Sequence, residues 1–146
     1  MQVILDMREK ELEEKQMEMA KILSALNMQK ETLYNILQAQ VTNKENLEKL
    51  SSSDNFDIPQ VEMHGDYGMK LVVDENNQER IIANTEAILR RKQREVMEAH
   101  QKVEVLRKLK EKQEKEYYQE FLKAETKEID DITSARFRFN NDTGID

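Results

Sequence analysis

Residues 3–50, VILDMREKELEEKQMEMAKILSALNMQKETLYNILQAQVTNKENLEKL, carry apolar side chains seven apart at Leu5, Leu12, Met19, Leu26 and Leu33, and again at Leu47 after a polar Gln40. A strict seven-residue repeat keeps one narrow face of a helix turned toward a partner helix, and left-handed supercoiling absorbs the mismatch with 3.6 residues per turn. The stretch holds no Gly or Pro. It predicts one helix over about residues 3–50, roughly 70 Å long. A second row, Arg8, Lys15, Ile22, Gln29, Ile36, Asn43 and Leu50, is half polar. Polar residues in such a seam cost stability and fix register.

Ser51-Ser52-Ser53-Asp54-Asn55 ends this pattern. These residue types compete with helix by bonding the local backbone. A helix start follows, with Asp57 as N-cap, Pro59 in the first turn, Gln60 three residues after the cap, and Phe56 and Val61 as a hydrophobic staple. Gly65 and Gly68 then weaken the helical signal, each by about 1 kcal/mol. Residues 65–82 read either as helix, the favoured reading, or as a short β-hairpin built from LVV, DENNQ and ERII. From Glu79 the repeat returns at Ile82, Leu89, Val96 and Val103. It drifts through Leu106 and Leu109 to Tyr117, Phe121 and Ala124, with Tyr118, Leu122, Ile129 and Ile132 alongside, and such drift marks a changed supercoil or a change of partner.

Two long helices joined by a short break predict an all-α fold, an antiparallel two-helix coiled-coil hairpin whose second helix is the longer. The expected organisation is a single unit over residues 1–139. It comprises helix 3–50, a loop at about 51–57, helix from about 58 to 134 with a break possible at 65–78, and a disordered tail at 140–146. A turn at 51–57 sets Leu5 opposite roughly Val103 and leaves residues beyond about 105 without a partner in the chain. Tyr117, Tyr118, Phe121, Phe137 and Phe139 fall in that overhang, and exposed aromatics on an unpaired helix read as a docking site.

Composition agrees. Of the 146 residues, 36% are charged and 5% aromatic, with three Gly, one Pro and no Cys. A chain so rich in helix formers buries a thin seam and little else. No disulfide or thiolate metal site is available, and no apolar run is long enough to span a membrane. The acidic opening lacks the basic-then-apolar plan of a secretory signal. His64 and His100 read as solvated helix residues without metal-ligand neighbours. Gly65-Asp66-Tyr67-Gly68 is too short to cradle a phosphate, and Ser51 to Ser53 lack an activating base. No catalytic residue, cofactor or metal is therefore expected. Met7, Met17, Met19 and Met28 read as seam filler, with a pliant binding face as the alternative.

The net charge of −7 argues against nucleic acid as a partner, but the charge is unevenly spread. Between Arg90 and Lys115 ten cations (Arg90, Arg91, Lys92, Arg94, Lys102, Arg107, Lys108, Lys110, Lys112, Lys115) stand against five Glu. The run is a solvated face, a ligand for an acidic partner surface or, least favoured because its apolar face lacks a wide aromatic-rich wedge, a membrane-adsorbing segment.

The opening VILDMREKELEEKQMEMA resembles the start of the FliJ family, small coiled-coil proteins of the bacterial flagellar export apparatus. LRKLKEKQEKEYYQEFLKAETKEIDDITSARF, residues 106–137, resembles that family's ending: a Lys-rich run (Lys108 to Lys115), Tyr117 or Tyr118, Glu125, Lys127 to Asp130, and Arg136-Phe137. The resemblance implies a two-helix stalk similar to that of rotary ATPases, with paired termini in the pore of the hexameric export ATPase. It implies contacts with the membrane export gate and with substrate chaperones, and a place in the cytoplasm at the inner face of the cell membrane. The ring contacts would fall on Arg90, Arg91, Lys108, Lys112, Tyr117 and Phe121. The family's gate-binding face could correspond to Gln29, Leu33, Tyr67 and Leu71, although Ile36, Gln40 and Asp74 depart from its pattern. Such a stalk is expected to be monomeric when free. A stalk subunit of another rotary ATPase or of a virulence secretion system, and a scaffold that dimerises through Leu5 to Leu47, are the alternatives.

Overall fold

The computed structural model describes residues 1–52, 54 and 57–142. It contains two helices, α1 (Gln2–Ser51, 50 residues) and α2 (Ile58–Asp142, 85 residues), which pack against each other as an all-α antiparallel hairpin. The chain divides into two compact units, Lys10–His100 and Met1–Glu9 with Gln101–Asp146, rather than the single unit that its length suggests.

At the end of α1, the Ser52 amide donates to the Glu48 carbonyl at 3.0 Å and its hydroxyl to the Lys49 carbonyl at 3.2 Å, so two of the last turn's otherwise orphaned acceptors are filled. At the start of α2, the Val61 amide donates to the Asp57 carbonyl at 3.1 Å, which is the bond an N-cap residue accepts. The expected staple of Phe56 on Val61 lies outside the described residues.

In the unit Lys10–His100, both rows anticipated on α1 are shielded. Leu26 and Asn43 are buried, and Leu12, Lys15, Met19, Ile22, Gln29, Leu33, Ile36, Gln40, Leu47 and Leu50 are half-buried. On α2 the shielded positions that continue the two rows are Val61, His64, Gly68, Leu71, Glu75, Gln78, Ile82, Thr85, Leu89, Lys92, Val96 and Ala99, with Asp74, Glu86 and Glu95 half-buried beside them. The seven-residue spacing therefore runs unbroken back through Gly68 to Val61. Neither a β-hairpin over residues 65–82 nor a break at 65–78 occurs: α2 is continuous there. The periodicity fades from the sequence only because the seam positions carry His64, Gly68, Glu75 and Gln78 in place of apolar residues. These polar residues bond across the seam. Asn43 pairs with His64, Gln40 Nε2 donates to Glu75 at 2.9 Å, and Gln78 Nε2 donates to the Gln29 carbonyl at 2.9 Å. His64 is thus a seam residue and not a solvated one, while His100 is exposed. Of the four methionines named above, only Met19 serves the seam; Met7, Met17 and Met28 are exposed.

At the other end of this unit, charged residues edge the seam. Lys92 lies 2.9 Å from Glu18 and 3.1 Å from Glu95, and Lys15 lies 3.4 Å from Glu95. The hydrogen bond from Lys92 is the chief reason that the carboxyls of Glu18 and Glu95 sit below their usual range, and the bond to Glu18 is the chief reason that the Lys92 ammonium sits above its own. Depressed carboxyl values stabilise the fold above the ordinary carboxylate range, and that stabilisation is lost as pH falls through the folded-state values. The raised Lys92 value acts oppositely: its contribution persists until pH rises past the ordinary ammonium range. Thermal melts should therefore show a midpoint that falls on acidification below about pH 5. The double substitution Glu18→Gln with Glu95→Gln should start lower and fall less. An equal fall in parent and variant would show that this cluster does not set the acid response.

In the unit formed by Met1–Glu9 and Gln101–Asp146, Leu5 and Val103 are buried, the latter completely. Arg107 bridges Glu9 at 3.1 Å and Glu104 at 3.2 Å, and its guanidinium is held in the charged form mainly by the bond to Glu9. Lys110 donates to the Gln2 side-chain oxygen. Lys110 is the last shielded residue, since every described residue from Glu111 to Asp142 is exposed. The helix does not end near Ser134, and residues 140–142 are its last turn, not a disordered tail. No Gly or Pro occurs between Gly68 and Gly144, so nothing local stops the helix earlier.

Candidate partner-binding surface

The exposed end of α2 carries the surface that the paired regions lack. Tyr117 is 74% exposed and Phe121 56%; Tyr118, Leu122, Ile129, Ile132, Phe137 and Phe139 are also exposed. Their spacing mixes two intervals: Leu122 and Ile129, like Ile132 and Phe139, are seven apart. Phe121 and Ile132 are eleven residues apart, as are Ala124 and Ala135. An eleven-residue step followed by a seven-residue one, as from Phe121 through Ile132 to Phe139, averages about 3.6 residues per turn, the α-helical value, so the stripe runs nearly along the helix axis instead of winding around it. This is the physical content of the drift seen past Val103. Ile132, Ala135 and Phe139 line a shallow hollow on this stripe.

The basic run sorts into two groups. Lys92 and Arg107 pair with carboxylates of α1, and Lys110 bonds Gln2. Counting charges within α2 alone misses these partners, because they are 74 to 108 residues away in sequence. The other seven, Arg90, Arg91 and Arg94 in one unit and Lys102, Lys108, Lys112 and Lys115 in the other, are exposed and make no ion pair among the described residues. Arg90, Arg91, Lys108 and Lys112, expected as contacts, are thus all available. Close to Lys112 and Lys115 in sequence lies Tyr117, so exposed cations and exposed aromatics share one stretch of helix.

The four residues carried over as gate contacts fare differently. Tyr67 is 43% exposed, but Leu71 is buried at 4%, and Gln29 and Leu33 are half-buried in the seam. The Gln29 side-chain oxygen is buried and receives no hydrogen bond. They belong to one unit but do not form one open face. Around them are exposed apolar residues that heptad reading passes over, among them Tyr34, Val41, Met63, Met69 and Val72. The signal for these is in the sequence: apolar residues that fall outside both seam rows.

Among the described residues there is no cluster of three or more His, Cys, Asp or Glu able to hold a metal, and no helix long and apolar enough to cross a membrane. The paired helices define a coiled-coil-like hairpin protein. The family model of the flagellar FliJ protein matches residues 1–142, and the chain belongs to that family. Membership places it with a non-catalytic family of the flagellar export context. No curated protein and no solved structure matches the chain.

Proposed function

We propose that this protein is a stalk and adaptor of the flagellar export apparatus that works by asymmetric contact with the export ATPase ring. The observation that carries the reading is the exposed helical segment Glu111–Asp142, with Tyr117 and Phe121 beside the unpaired cations Lys108, Lys112 and Lys115. A single helical rod inside a six-fold ring cannot satisfy six subunits equally. It biases their nucleotide states, and the cations are complementary to an acidic lumen. Tyr67 is the gate contact offered to solvent, Gln29, Leu33 and Leu71 being seam residues, and exposed apolar residues such as Met63 and Met69 suit substrate chaperones. The protein acts in the cytoplasm at the inner face of the membrane and is monomeric when free. Dimerisation through Leu5 to Leu47 draws no support from the fold, since α2 of the same chain already covers that row.

The test is steady-state ATP turnover by the cognate export ATPase, with this protein added over a range that saturates binding. Turnover should rise, and the protein alone should hydrolyse nothing. A ring that binds the protein without any change in turnover would remove the stalk assignment.

A further inference from the structure

The apolar seam of this hairpin is nearly blind to its own alignment. Leu12, Met19, Leu26 and Leu33 on α1 and Ile82, Leu89 and Val96 on α2 repeat at the same seven-residue interval. Sliding one helix by a heptad would again set apolar against apolar. The connection does not forbid such a slide. Six residues, 52–57, separate the helices, and six extended residues reach about 20 Å. A heptad of helix is only about 10.5 Å long, and packed helices lie about 10 Å apart. The charged pairs along the edge and the Gln40–Glu75 and Gln78–Gln29 bonds are at most half-buried and discriminate weakly.

One layer is different in kind. Asn43 is buried, at 7% exposure, and its amide nitrogen donates to the His64 carbonyl at 2.9 Å while its oxygen lies 2.9 Å from His64 Nδ1. The carbonyl can only accept, so the amide must present its nitrogen to it. Its oxygen is then left to accept, and the proton of the His64 ring sits on Nδ1. Four residues on, Gly68 completes the arrangement. A β-carbon there would meet the Asn43 nitrogen at 3.0 Å. The missing side chain is what lets the amide reach the carbonyl of the preceding turn. Gly65, by contrast, faces open space. Sliding by one heptad would set Asn43 against Leu71 or Asp57, and Gly68 would lose its occupant.

We propose that Asn43, His64 and Gly68 form a register lock that selects one alignment of the two helices from several that the apolar seam would accept. The lock costs stability, because a buried polar layer replaces an apolar one, and returns uniqueness. This inference stands independently of the identity of any partner.

The chain has no cysteine, so engineered pairs report alignment directly. Glu18→Cys with Lys92→Cys reads the observed register, since the native side chains at these positions bridge the two helices, and a short bis-thiol cross-linker spans the gap that the shorter cysteines leave. Glu18→Cys with Thr85→Cys, and Glu18→Cys with Ala99→Cys, read slides of one heptad in either direction. With the lock intact, the cross-linker should close only the first pair. In the background Asn43→Leu with His64→Leu, the thermal midpoint should rise, and one or both off-register pairs should close in about a tenth of the molecules or more. Closure confined to the 18–92 pair in that background would overturn the proposal, whatever the midpoint does. Loss of helix by circular dichroism would overturn it equally, because the layer would then be holding the fold and not choosing its alignment.

Discussion

Replacing Tyr117 and Phe121 together by Ala should weaken binding to the export ATPase ring by about a hundredfold or more and abolish stimulation at concentrations that saturate the parent protein. Buried aromatic anchors dominate interfaces, and two of them at about 1.4 kcal/mol each already reach that factor. Both side chains are exposed in the free protein, so their removal takes nothing from the fold. Alanine is also the better helix former, and circular dichroism should show helix content unchanged or slightly higher. The measurement is a binding isotherm with ATP turnover followed in parallel. Unchanged affinity would mean that the stripe from Tyr117 to Phe139 is not the ring contact. Lost stimulation with retained binding would instead separate docking from activation and assign the aromatics to the latter.

Reversing Arg90, Arg91, Lys108 and Lys112 to Glu, all four together, should weaken ring binding by at least about tenfold at low salt. The parent's own affinity should fall as salt rises, since exposed charges are screened over about 10 Å at 0.1 M. These four are chosen because none forms an ion pair among the described residues. Lys92 and Arg107 are left alone because they hold α1, and their reversal would mix folding with binding. If the reversed protein binds and stimulates like the parent at low salt, the cations are a solvated face and the aromatic stripe carries the contact unaided.

Both long helices, their antiparallel pairing and the greater length of the second were legible because Leu5, Leu12 and Leu26 announce a seam by spacing alone. The overhang was legible too, since a turn at 51–57 leaves α2 with more chain than α1 can cover. Two kinds of information were not. The first is any contact that depends on register. Nothing local says that Asn43 meets His64, or that Arg107 finds Glu9 across 98 residues, so the basic run looked less paired than it is. The second is a seam built from polar residues. Between His64 and Gln78 the spacing persists but hydrophobicity does not, and a reading based on hydrophobicity loses the thread there. Of the gate-face residues, Gln29 already stands in the half-polar seam row of α1, whereas Leu71 is hidden because its seam neighbours His64, Gly68, Glu75 and Gln78 are not apolar.

The exposed end of α2 has an energetic character of its own. Starting a helix is the costly step, because several residues must be ordered before the first hydrogen bond repays any of it, whereas each later residue adds one bond. Here the start is supplied by Val103 and its packed neighbours, so Glu111–Asp142 only has to elongate. Elongation without packing runs near balance for good helix formers. The segment should accordingly unwind from Asp142 backwards as temperature rises, in small steps and well before the paired seam yields. A partner that closes around it would then act as a clamp on a helix already in the right phase, with most of the ordering cost met in advance by the rest of the protein.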